Sequence, residues 1–196
     1  DIFYQLLSLN NIPVASIGTL GIKYKNKVIK TGLTSPDTIS IHRHLQNLKK
    51  NKIENVIIEA SSHGLSQDRL RHINFKGAIF TNFSQDHLDY HKTMTAYLNA
   101  KLILFKKILS KNSTIVSDKN IKQFFLLKTI AKKRKLNLIE ISKIIKEINN
   151  KSSNTTSDFK LKNLAMAVAA VKLCGLKNND IFQTLKKVKD VDGRLE

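Results

Sequence analysis

The chain has few of the residues that make special structures. Its 196 residues include one cysteine, two prolines and no tryptophan. A single cysteine, Cys174, excludes an internal disulfide framework and fits a reducing compartment. No run of about 18 apolar residues occurs, so the sequence predicts no membrane-spanning helix. Nothing at the start has the composition of a signal peptide, and the expected location is therefore the cytoplasm.

Two catalytic motifs are also missing. The sequence contains no Gly-x-x-x-x-Gly-Lys-[Ser/Thr] phosphate loop, and residues 18–21 (Gly-Thr-Leu-Gly) are too short to serve as one. The chain by itself is therefore not predicted to hold a nucleoside triphosphate in that way. A Gly-x-Ser-x-Gly elbow is absent too, and a Ser and His adjacent in sequence, such as Ser62 and His63, rarely form a catalytic pair. A hydrolase is accordingly disfavoured.

Acidic residues are scarce: 15 Asp and Glu stand against 34 Lys and Arg, giving a formal charge of +19. Such a charge is compatible with nucleic-acid binding. The lysines, however, are spread along a chain that is also rich in Ile and Asn, which is typical of a codon bias. No RNA-binding aromatic motif, zinc-finger spacing or KH-type loop is present. Nucleic acid is thus disfavoured as a partner, and a non-catalytic basic nucleic-acid-binding module stays as an alternative.

The apolar fraction of 41% predicts a globular domain. The pattern of apolar residues predicts strands that alternate with helices. Short apolar runs predict strands at 14–17, 22–24, 28–30, 55–59, 78–81, 113–117 and 136–141. Helical periodicity or composition predicts helices at 1–10, 38–50, 93–109, 118–133, 142–150, 161–173 and about 181–188. A short turn or helix is expected at 64–71 and a polar linker at 151–157. This alternation indicates an α/β fold, a three-layer, mostly parallel sheet flanked by helices.

Two of the predicted strands end in side chains that bind metals. Glu59 directly follows the apolar run 56–58, and a loop holding Asp86, His87, Asp89 and His91 follows the run 78–80. Open α/β sheets bind ligands at the carboxyl ends of their strands, so the two ends suggest one shared site. The alternatives are an exposed acid at a strand end and solvated or capping turn residues.

Lys101 is the most informative single residue. It lies in the middle of an apolar helical stripe made by Met94, Tyr97, Leu98, Leu104, Phe105 and Ile108. A lysine there is expected to be partly buried, which lowers the pKa of its amine and makes the neutral form available. The alternative is a side chain that extends past its apolar neighbours to water.

Four segments together resemble the Mur ligase family. They are Glu-Ala-Ser-Ser-His-Gly-Leu (59–65), Phe-Thr-Asn-Phe-Ser-Gln-Asp-His-Leu-Asp-Tyr-His (80–91), Ala-Tyr-Leu-Asn-Ala-Lys (96–101) and Asp-Gly-Arg-Leu-Glu (192–196). Within that family the sequences of these segments are most similar to those of the enzymes that add the third residue of the peptidoglycan stem peptide. The resemblance implies the family's central ATPase-type domain and an ATP-dependent amide ligation through an acyl-phosphate. Its cofactors would be ATP and Mg²⁺.

The resemblance also implies roles for ten residues. Glu59 and His87 would bind magnesium, and Lys101 would be carbamylated to give a further anionic ligand; these three would be the catalytic residues. UDP-MurNAc-dipeptide would be held by Thr34, Ser35, Ser61, Gln67 and Arg69. Asn163 and Arg194 would contact the nucleotide. The second substrate would be diaminopimelate or lysine, and a monomer is expected.

The chain departs from the family pattern in ways that limit these expectations. The family's phosphate loop would precede Asp1, so residues 1–190 are expected to be a truncated central domain, with 191–196 starting a linker. Leu33 stands where the family has Asn, and the pattern around the ATP-contacting asparagine is reduced to residues 158–163. This piece alone is therefore predicted to be inactive. A folylpolyglutamate synthase is the alternative ligase, although the sequence of residues 61–65 and 86–91 argues against it.

Overall fold

A computed structural model of the protein describes residues 1–25, 27–151 and 157–189. Within these residues the strands are β1 Val14–Gly18, β2 Gly21–Tyr24, β3 Lys27–Ile29, β4 Asn55–Ile58, β5 Gly77–Phe80, β6 Thr114–Ser117 and β7 Asn137–Glu140. The helices are α1 Ile2–Leu9, α2 Thr38–Lys50, α3 Ser62–Ser66, α4 Leu88–His91, α5 Met94–Ile103, α6 Phe124–Arg134, α7 Ser142–Lys151, α8 Asp158–Leu173 and α9 Asn178–Leu185. The predicted α/β class is confirmed.

The strands form two hydrogen-bonded sheets. One has the order β3-β2-β1-β4, with a parallel β1–β4 pair and an antiparallel hairpin through β2 and β3. The other has the order β5-β6-β7 and is entirely parallel. Parallel pairs therefore predominate, as the sequence predicts. No ladder joins β4 to β5 in the part of the chain that the structure describes.

Both sheets contribute to the same two apolar cores. On one face, Ala15 and Ile17 of β1 share a cluster with Phe80 of β5 and Ile115 of β6. On the other face, α1 and the Ala-rich α8 pack with residues of both sheets, among them Val14 and Val116. Since side chains alternate between the faces of a strand, the two sheets lie side by side in one layer between helices. The predicted three-layer arrangement follows from this packing.

Local capping explains where two of the site's helices begin. The Asp37 carboxylate accepts a hydrogen bond from the Ser40 N–H (2.9 Å) at the start of α2, and these Ser40 hydrogen bonds lower the pKa of Asp37. At the start of α5, the Thr93 hydroxyl accepts from the Ala96 N–H (3.1 Å). Such caps satisfy backbone donors that a helix leaves free at its N-terminus.

Three element predictions were wrong in detail. The helix predicted at 93–109 consists of α5 and a π-helical turn, Leu104–Ile108. The helix predicted from residue 118 begins at Phe124, because Asp118 first folds a turn by accepting the Asn120 N–H (2.9 Å). The loop predicted after β5 contains α4, a single turn too short to show periodicity. The linker predicted at 151–157 lies mostly outside the described residues.

None of the helices in the described ranges has the length and hydrophobicity that a membrane span requires.

Candidate active site

The carboxyl ends of β1, β4 and β5 open into one cleft of about 2650 Å³. Most of the residues predicted to act together line it: Thr34, Ser35, Glu59, Ser61, Arg69, His87, Lys101 and Asn163. The ends of β4 and β5 therefore border one cleft, and a shared ligand site there stays a prediction. Gln67 is not among the lining residues but contacts one of them, and Arg194 lies outside the described residues.

Glu59 is held in a fixed position at the end of β4. Its backbone N–H donates to the Ile17 carbonyl (2.8 Å), which continues the pairing with β1 by one residue. Its carboxylate oxygen Oε2 accepts two hydrogen bonds from Thr19, one from the backbone N–H (3.0 Å) and one from the hydroxyl (3.1 Å). The Thr19 hydroxyl also lies 3.1 Å from the Thr34 hydroxyl. Thr19 thus links the acid to a predicted substrate-binding residue.

Gly18 permits this arrangement. A Cβ atom at Gly18 would lie only 2.6 Å from the Glu59 Oε2 oxygen, well inside van der Waals contact. The absence of a side chain lets the carboxylate lie against the end of β1.

A second network fixes the predicted substrate-binding residues. The Ser35 hydroxyl, only 1% exposed, donates to the Glu59 carbonyl (3.0 Å) and lies 3.0 Å from the Ser61 hydroxyl. Ser61 caps α3 by accepting the Gly64 N–H (3.0 Å). Arg69 donates to the Ser35 carbonyl (2.8 Å). These buried and half-buried polar groups satisfy one another, which makes this part of the cleft rigid.

Gln67 lies behind this network. Its side-chain oxygen accepts a hydrogen bond from Arg69 (2.5 Å), and its amide donates to the Tyr90 hydroxyl (3.1 Å). Hydrogen bonds from Ser66 and then Gln67 lower the pKa of Tyr90. Gln67 therefore orients the Arg69 guanidinium from behind.

Lys101 lines the same cleft from α5. Its Nζ atom is 3.4 Å from the Tyr97 hydroxyl and 5.2 Å from the centre of that ring. Burial lowers the pKa of Lys101, and the carboxylates of Asp86 and Glu59 oppose part of that effect. Burial, and then the negative charge of Asp86, raises the pKa of Tyr97. The predicted partial burial of Lys101 is confirmed.

His87 enters the site from a strained backbone. It has a positive φ of 53°, and its N–H donates to its neighbour Asp86 (2.7 Å). Its Nε2 atom is 3.5 Å from the other Asp86 carboxylate oxygen. A left-handed conformation is uncommon for a residue other than glycine and is found at functional sites. Eight other non-glycine residues among those described share this conformation, so it does not by itself mark His87 as functional.

His91, considered with His87 in the sequence, has a different environment. It is 9% exposed and its Nε2 lies 2.9 Å from the Ser62 hydroxyl. Burial, and then the nearby His63 and His87, lowers the pKa of His91. The ring also stacks on Tyr97 with 5.3 Å between centroids. His91 therefore packs beneath the site and positions α4 against α3.

The donors present fit a magnesium ion only in part. Among the described residues, no group of three or more His, Cys, Asp or Glu side chains is close enough to hold a metal. Glu59 and His87 line one cleft, and a third metal ligand would have to come from a group other than these side-chain types. Magnesium prefers oxygen donors, and a carboxylate formed on the Lys101 amine would be one. Such a carboxylate would supply an oxygen donor that the cleft otherwise takes from Glu59.

Near Asn163, the structure shows a pair that the sequence did not suggest. Asp118, at the end of β6, is 1% exposed, and its Oδ2 atom lies 3.3 Å from the Lys162 ammonium without hydrogen-bond geometry. Lys162 also reaches Asp158 at 2.7 Å, and hydrogen bonding to Asp158 raises the pKa of Lys162. The pair ties α8, which carries Asn163, to the same edge of the strands.

Thr19 and Tyr97 are the functional candidates that sequence reasoning missed. Thr19 directly follows β1, so the rule that identified Glu59 would also have identified it. Tyr97 precedes Lys101 by one helical turn but counts as an ordinary apolar residue in the stripe.

Comparison with known proteins agrees with this geometry. Residues 1–179 match the model of the Mur ligase middle domain. The match covers most of the chain, and the chain belongs to the Mur ligase family.

Individual members of the family show which ligases this chain resembles in sequence and in fold. A Rickettsia conorii protein named UDP-N-acetylmuramoyl-L-alanyl-D-glutamate--2,6-diaminopimelate ligase is 35% identical over 217 residues, covering 98% of this chain and 45% of the relative. A solved structure with the same ligase name has a TM-score of 0.81 at 21% identity, covering 98% of this chain and 44% of that one. L. casei FPGS, in a mutant form, has a TM-score of 0.65 at 12% identity, covering all of this chain and 60% of that one. The two structures show similarity of fold alone.

The chain spans less than half the length of the Rickettsia conorii relative.

Proposed function

We propose that this chain is the central domain of a ligase for peptidoglycan precursors. The complete protein would join diaminopimelate to UDP-MurNAc-L-Ala-D-Glu, as the names of its curated relatives indicate for those proteins. Lysine stays the alternative second substrate. The observation that carries the proposal is Lys101, a partly buried amine with a lowered pKa that lines the same cleft as Glu59 and His87.

Lys101 has the environment that carbamylation needs. Its neutral amine would attack carbon dioxide, forming the N–C bond of a carbamate and releasing one proton. The product carries a carboxylate where the free amine carried a positive charge. Tyr97, which is 3.4 Å from Nζ, would orient the group. Beside Glu59 and His87, this carboxylate would complete the set of metal ligands.

The rigid network would hold the acidic substrate. Arg69 uses two N–H groups to bind Ser35 and Gln67, and a guanidinium has five. The remaining donors suit a carboxylate or phosphate on the substrate. Thr34, Ser35 and Ser61 would add hydroxyl contacts, and Asn163 would contact the nucleotide; Arg194 is proposed for the nucleotide on the family motif alone.

The cofactors are ATP and Mg²⁺. They would supply a phosphoryl group that activates the dipeptide carboxylate and neutralise charge during its transfer. The residues described here would orient the carboxylate and hold the ligands in place. The location would be the cytoplasm and the protein a monomer.

The test uses the protein extended to the length of its relatives. It is incubated with ATP, Mg²⁺, UDP-MurNAc-L-Ala-D-Glu and either diaminopimelate or lysine, and mass spectrometry identifies the product. We expect the tripeptide, with phosphate release that requires both substrates, and no product from the 196-residue chain. Activity only with a folate and glutamate would favour the folylpolyglutamate alternative. Salt-sensitive DNA binding without any ligation would favour the basic binding module.

A further inference from the structure

The outer face of α6 combines positive charge with an exposed aromatic side chain. Phe125 is 76% exposed. Lys128, Thr129 and Lys132 follow it at the spacings that place residues on one face of a helix, and all three are exposed. The opposite face of α6 is buried, and its Leu127 belongs to the first core. The face that carries Phe125 is therefore open to solvent.

A second apolar side chain protrudes beside Phe125. Leu126 is 38% exposed, and the rings of Phe124 and Phe125 are in edge-on contact with 6.2 Å between centroids. Single exposed apolar residues are common on protein surfaces. Two adjacent ones on a lysine-bearing face are less usual, because a surface helix normally presents polar residues to water. The outer face of α6 is thus both basic and apolar.

The surface around α6 is almost free of negative charge. Residues 105–139 contain nine lysines and one arginine but a single acid, Asp118, whereas the other 161 residues contain 24 basic and 14 acidic side chains. All nine lysines are exposed, while Asp118 is 1% exposed and lies 3.3 Å from Lys162. A codon bias toward lysine explains how many lysines the chain has. It does not explain why acids are missing from this stretch.

Hydrogen bonds join the lysines of two segments into one surface. The Arg134 guanidinium donates to the carbonyls of Lys106 and Leu109, which ties the end of α6 to the π-helical turn. The Asn112 N–H donates to the Lys135 carbonyl (2.9 Å). The basic surface therefore continues from α6 to the segment that leads into β6.

Helix electrostatics explains only part of this pattern. Cations near the C-terminus of a helix are stabilised by its dipole, and Lys132 and Lys133 lie in the last turn of α6. The dipole does not account for Lys128 in the middle of the helix, for the exposed Phe125 or for the missing acids. A surface that binds an anionic, partly apolar partner would have all three features.

The shape of this surface favours a lipid bilayer over a nucleic acid. Proteins that bind single-stranded nucleic acids use a positively charged groove and stack bases on aromatic rings. The outer face of a helix is convex, and Leu126 has no ring on which a base could stack. Helices that lie on membranes combine Phe or Leu with lysines in this way, and anionic lipids attract the lysines.

We propose that the outer face of α6 binds the surface of a membrane that contains anionic phospholipids. Phe125 and Leu126 would enter the headgroup region, and the surrounding lysines would lie at the level of the lipid phosphates. With 11 residues, α6 is too short to span a bilayer and would lie on it. No residue of α6, all of which the structure describes, lines the cleft. The proposal does not rest on the proposed ligase activity.

The first measurement is sedimentation of the 196-residue chain with vesicles at about 0.15 M salt. One set of vesicles contains phosphatidylglycerol and phosphatidylcholine, and the other contains phosphatidylcholine alone. A triple variant removes three charges from α6: Lys128→Gln, Lys132→Gln and Lys133→Gln. The matched control removes three charges from exposed lysines of the β2–β3 hairpin, at the outer edge of the other sheet: Lys25→Gln, Lys27→Gln and Lys30→Gln.

We expect binding that requires phosphatidylglycerol and that weakens about 100-fold in the α6 variant, because each lysine near an anionic surface contributes about fivefold in affinity. The hairpin variant should lose less than about fivefold, since charges far from the membrane are screened. Absence of binding to the anionic vesicles would overturn the proposal. Equal losses in the two variants would also overturn it, because binding would then follow from net charge alone.

The second measurement tests whether position 125 enters the membrane. The chain has no tryptophan, so Phe125→Trp introduces a single fluorescent reporter. Ile39→Trp, at a site on α2 that is 72% exposed, is the control. We expect anionic vesicles to shift the emission of Phe125→Trp to shorter wavelength and brominated lipids to quench it, with no change for Ile39→Trp. The same response in both variants, or none in either, would contradict insertion of α6.

Two further results would overturn the proposal. An oligonucleotide that binds the chain more tightly than the anionic vesicles do, and loses affinity in the α6 triple variant, would assign the surface to nucleic acid. Vesicle binding by the 196-residue chain but not by the protein extended to the length of its relatives would show that another part of the protein covers α6.

Discussion

The two walls of the cleft are built in different ways. At the end of β4, Glu59 and Ser35 have hydrogen-bonding partners supplied by the chain itself. On the α5 wall, Lys101 has one long hydrogen bond, to Tyr97. His87, next to Asp86, has a left-handed backbone conformation. The first wall is fixed before any ligand arrives. The second holds Lys101, an amine whose charge can still change.

This difference suits two tasks. A rigid wall positions a substrate at little entropic cost when the substrate binds. A partly buried amine is unfavourable for folding when charged, so it represents a cost that function would justify. The contrast predicts that substitutions within the Ser35–Ser61 network mainly affect stability, whereas removal of the Lys101 amine mainly affects activity.

The largest effect is expected on the second wall. In the complete ligase, Lys101→Ala should lower the ligation rate about 100-fold or more, comparable to removing one group that stabilises a transition state. Added bicarbonate should not restore it. Lys106→Ala, an exposed lysine beyond the same helix, is the matched control. Full activity of Lys101→Ala would contradict the claim that the Lys101 amine is needed for ligation.

On the first wall, Gly64→Ala should mainly destabilise. A Cβ atom at Gly64 would lie 2.6 Å from Ser35 Cβ and 2.8 Å from its hydroxyl oxygen, inside a buried network. Overpacking of this kind costs about 1–3 kcal/mol. Urea unfolding of the 196-residue chain measures the change, with Ser66→Ala on the exposed side of α3 as control. An unchanged midpoint would mean that the wall is not rigid.

Lys101→Met tests whether the partly buried charge of Lys101 lowers the stability of the fold. Burial lowers the pKa of Lys101 in the folded chain, so the unfolded state binds more protons at pH values between the two pKa values. Stability of the native chain should therefore rise as pH rises through that window. The methionine variant removes the cost of the charge and should be more stable at pH 7, by on the order of 1 kcal/mol.

This advantage of Lys101→Met should shrink as the pH rises toward the ordinary pKa of lysine. The measurement is urea unfolding in buffer freed of carbon dioxide, so that the amine stays unmodified. A variant less stable than the native chain at every pH would show that the lysine stem contributes packing instead.

The smallest effect is expected from Thr19→Val. The substitution removes one of two hydrogen bonds to Glu59 but keeps the backbone N–H. Ligation should fall by about fivefold, the effect of roughly one hydrogen bond. Stability should change by less than about 0.5 kcal/mol because the site is exposed. Thr129→Val on α6 is the control; equal losses in both variants would contradict a specific role.

Much of the site could be predicted because its residues follow directly from strand ends and helical periodicity. Glu59 was found because an apolar run stops at it, and Lys101 because it interrupts an apolar stripe. Thr19, Tyr97 and the Asp118–Lys162 pair were missed. The roles of Thr19 and of the Asp118–Lys162 pair depend on partners distant in sequence; Thr19 and Glu59, for example, are 40 positions apart. Tyr97 was missed because it counted as an ordinary apolar residue of the stripe.

The secondary structure was predictable for a similar reason. The bounds predicted for α2, 38–50, match the structure because Asp37 caps that helix and a clear apolar face runs along it. The single turn of α4 could not be predicted, since four residues have no periodicity. The late start of α6 depends on the Asp118 turn rather than on helix propensity.

By itself, the sequence determined the α/β class, the family resemblance and which side chains could do chemistry, because local periodicity and motif spacing are written along the chain. The tertiary structure decided which of those side chains share a cleft, that His91 serves packing, and that no ladder joins β4 to β5 among the described residues. Those outcomes depend on hydrogen bonds and packing between distant segments, and one-dimensional patterns do not specify which strand edges meet.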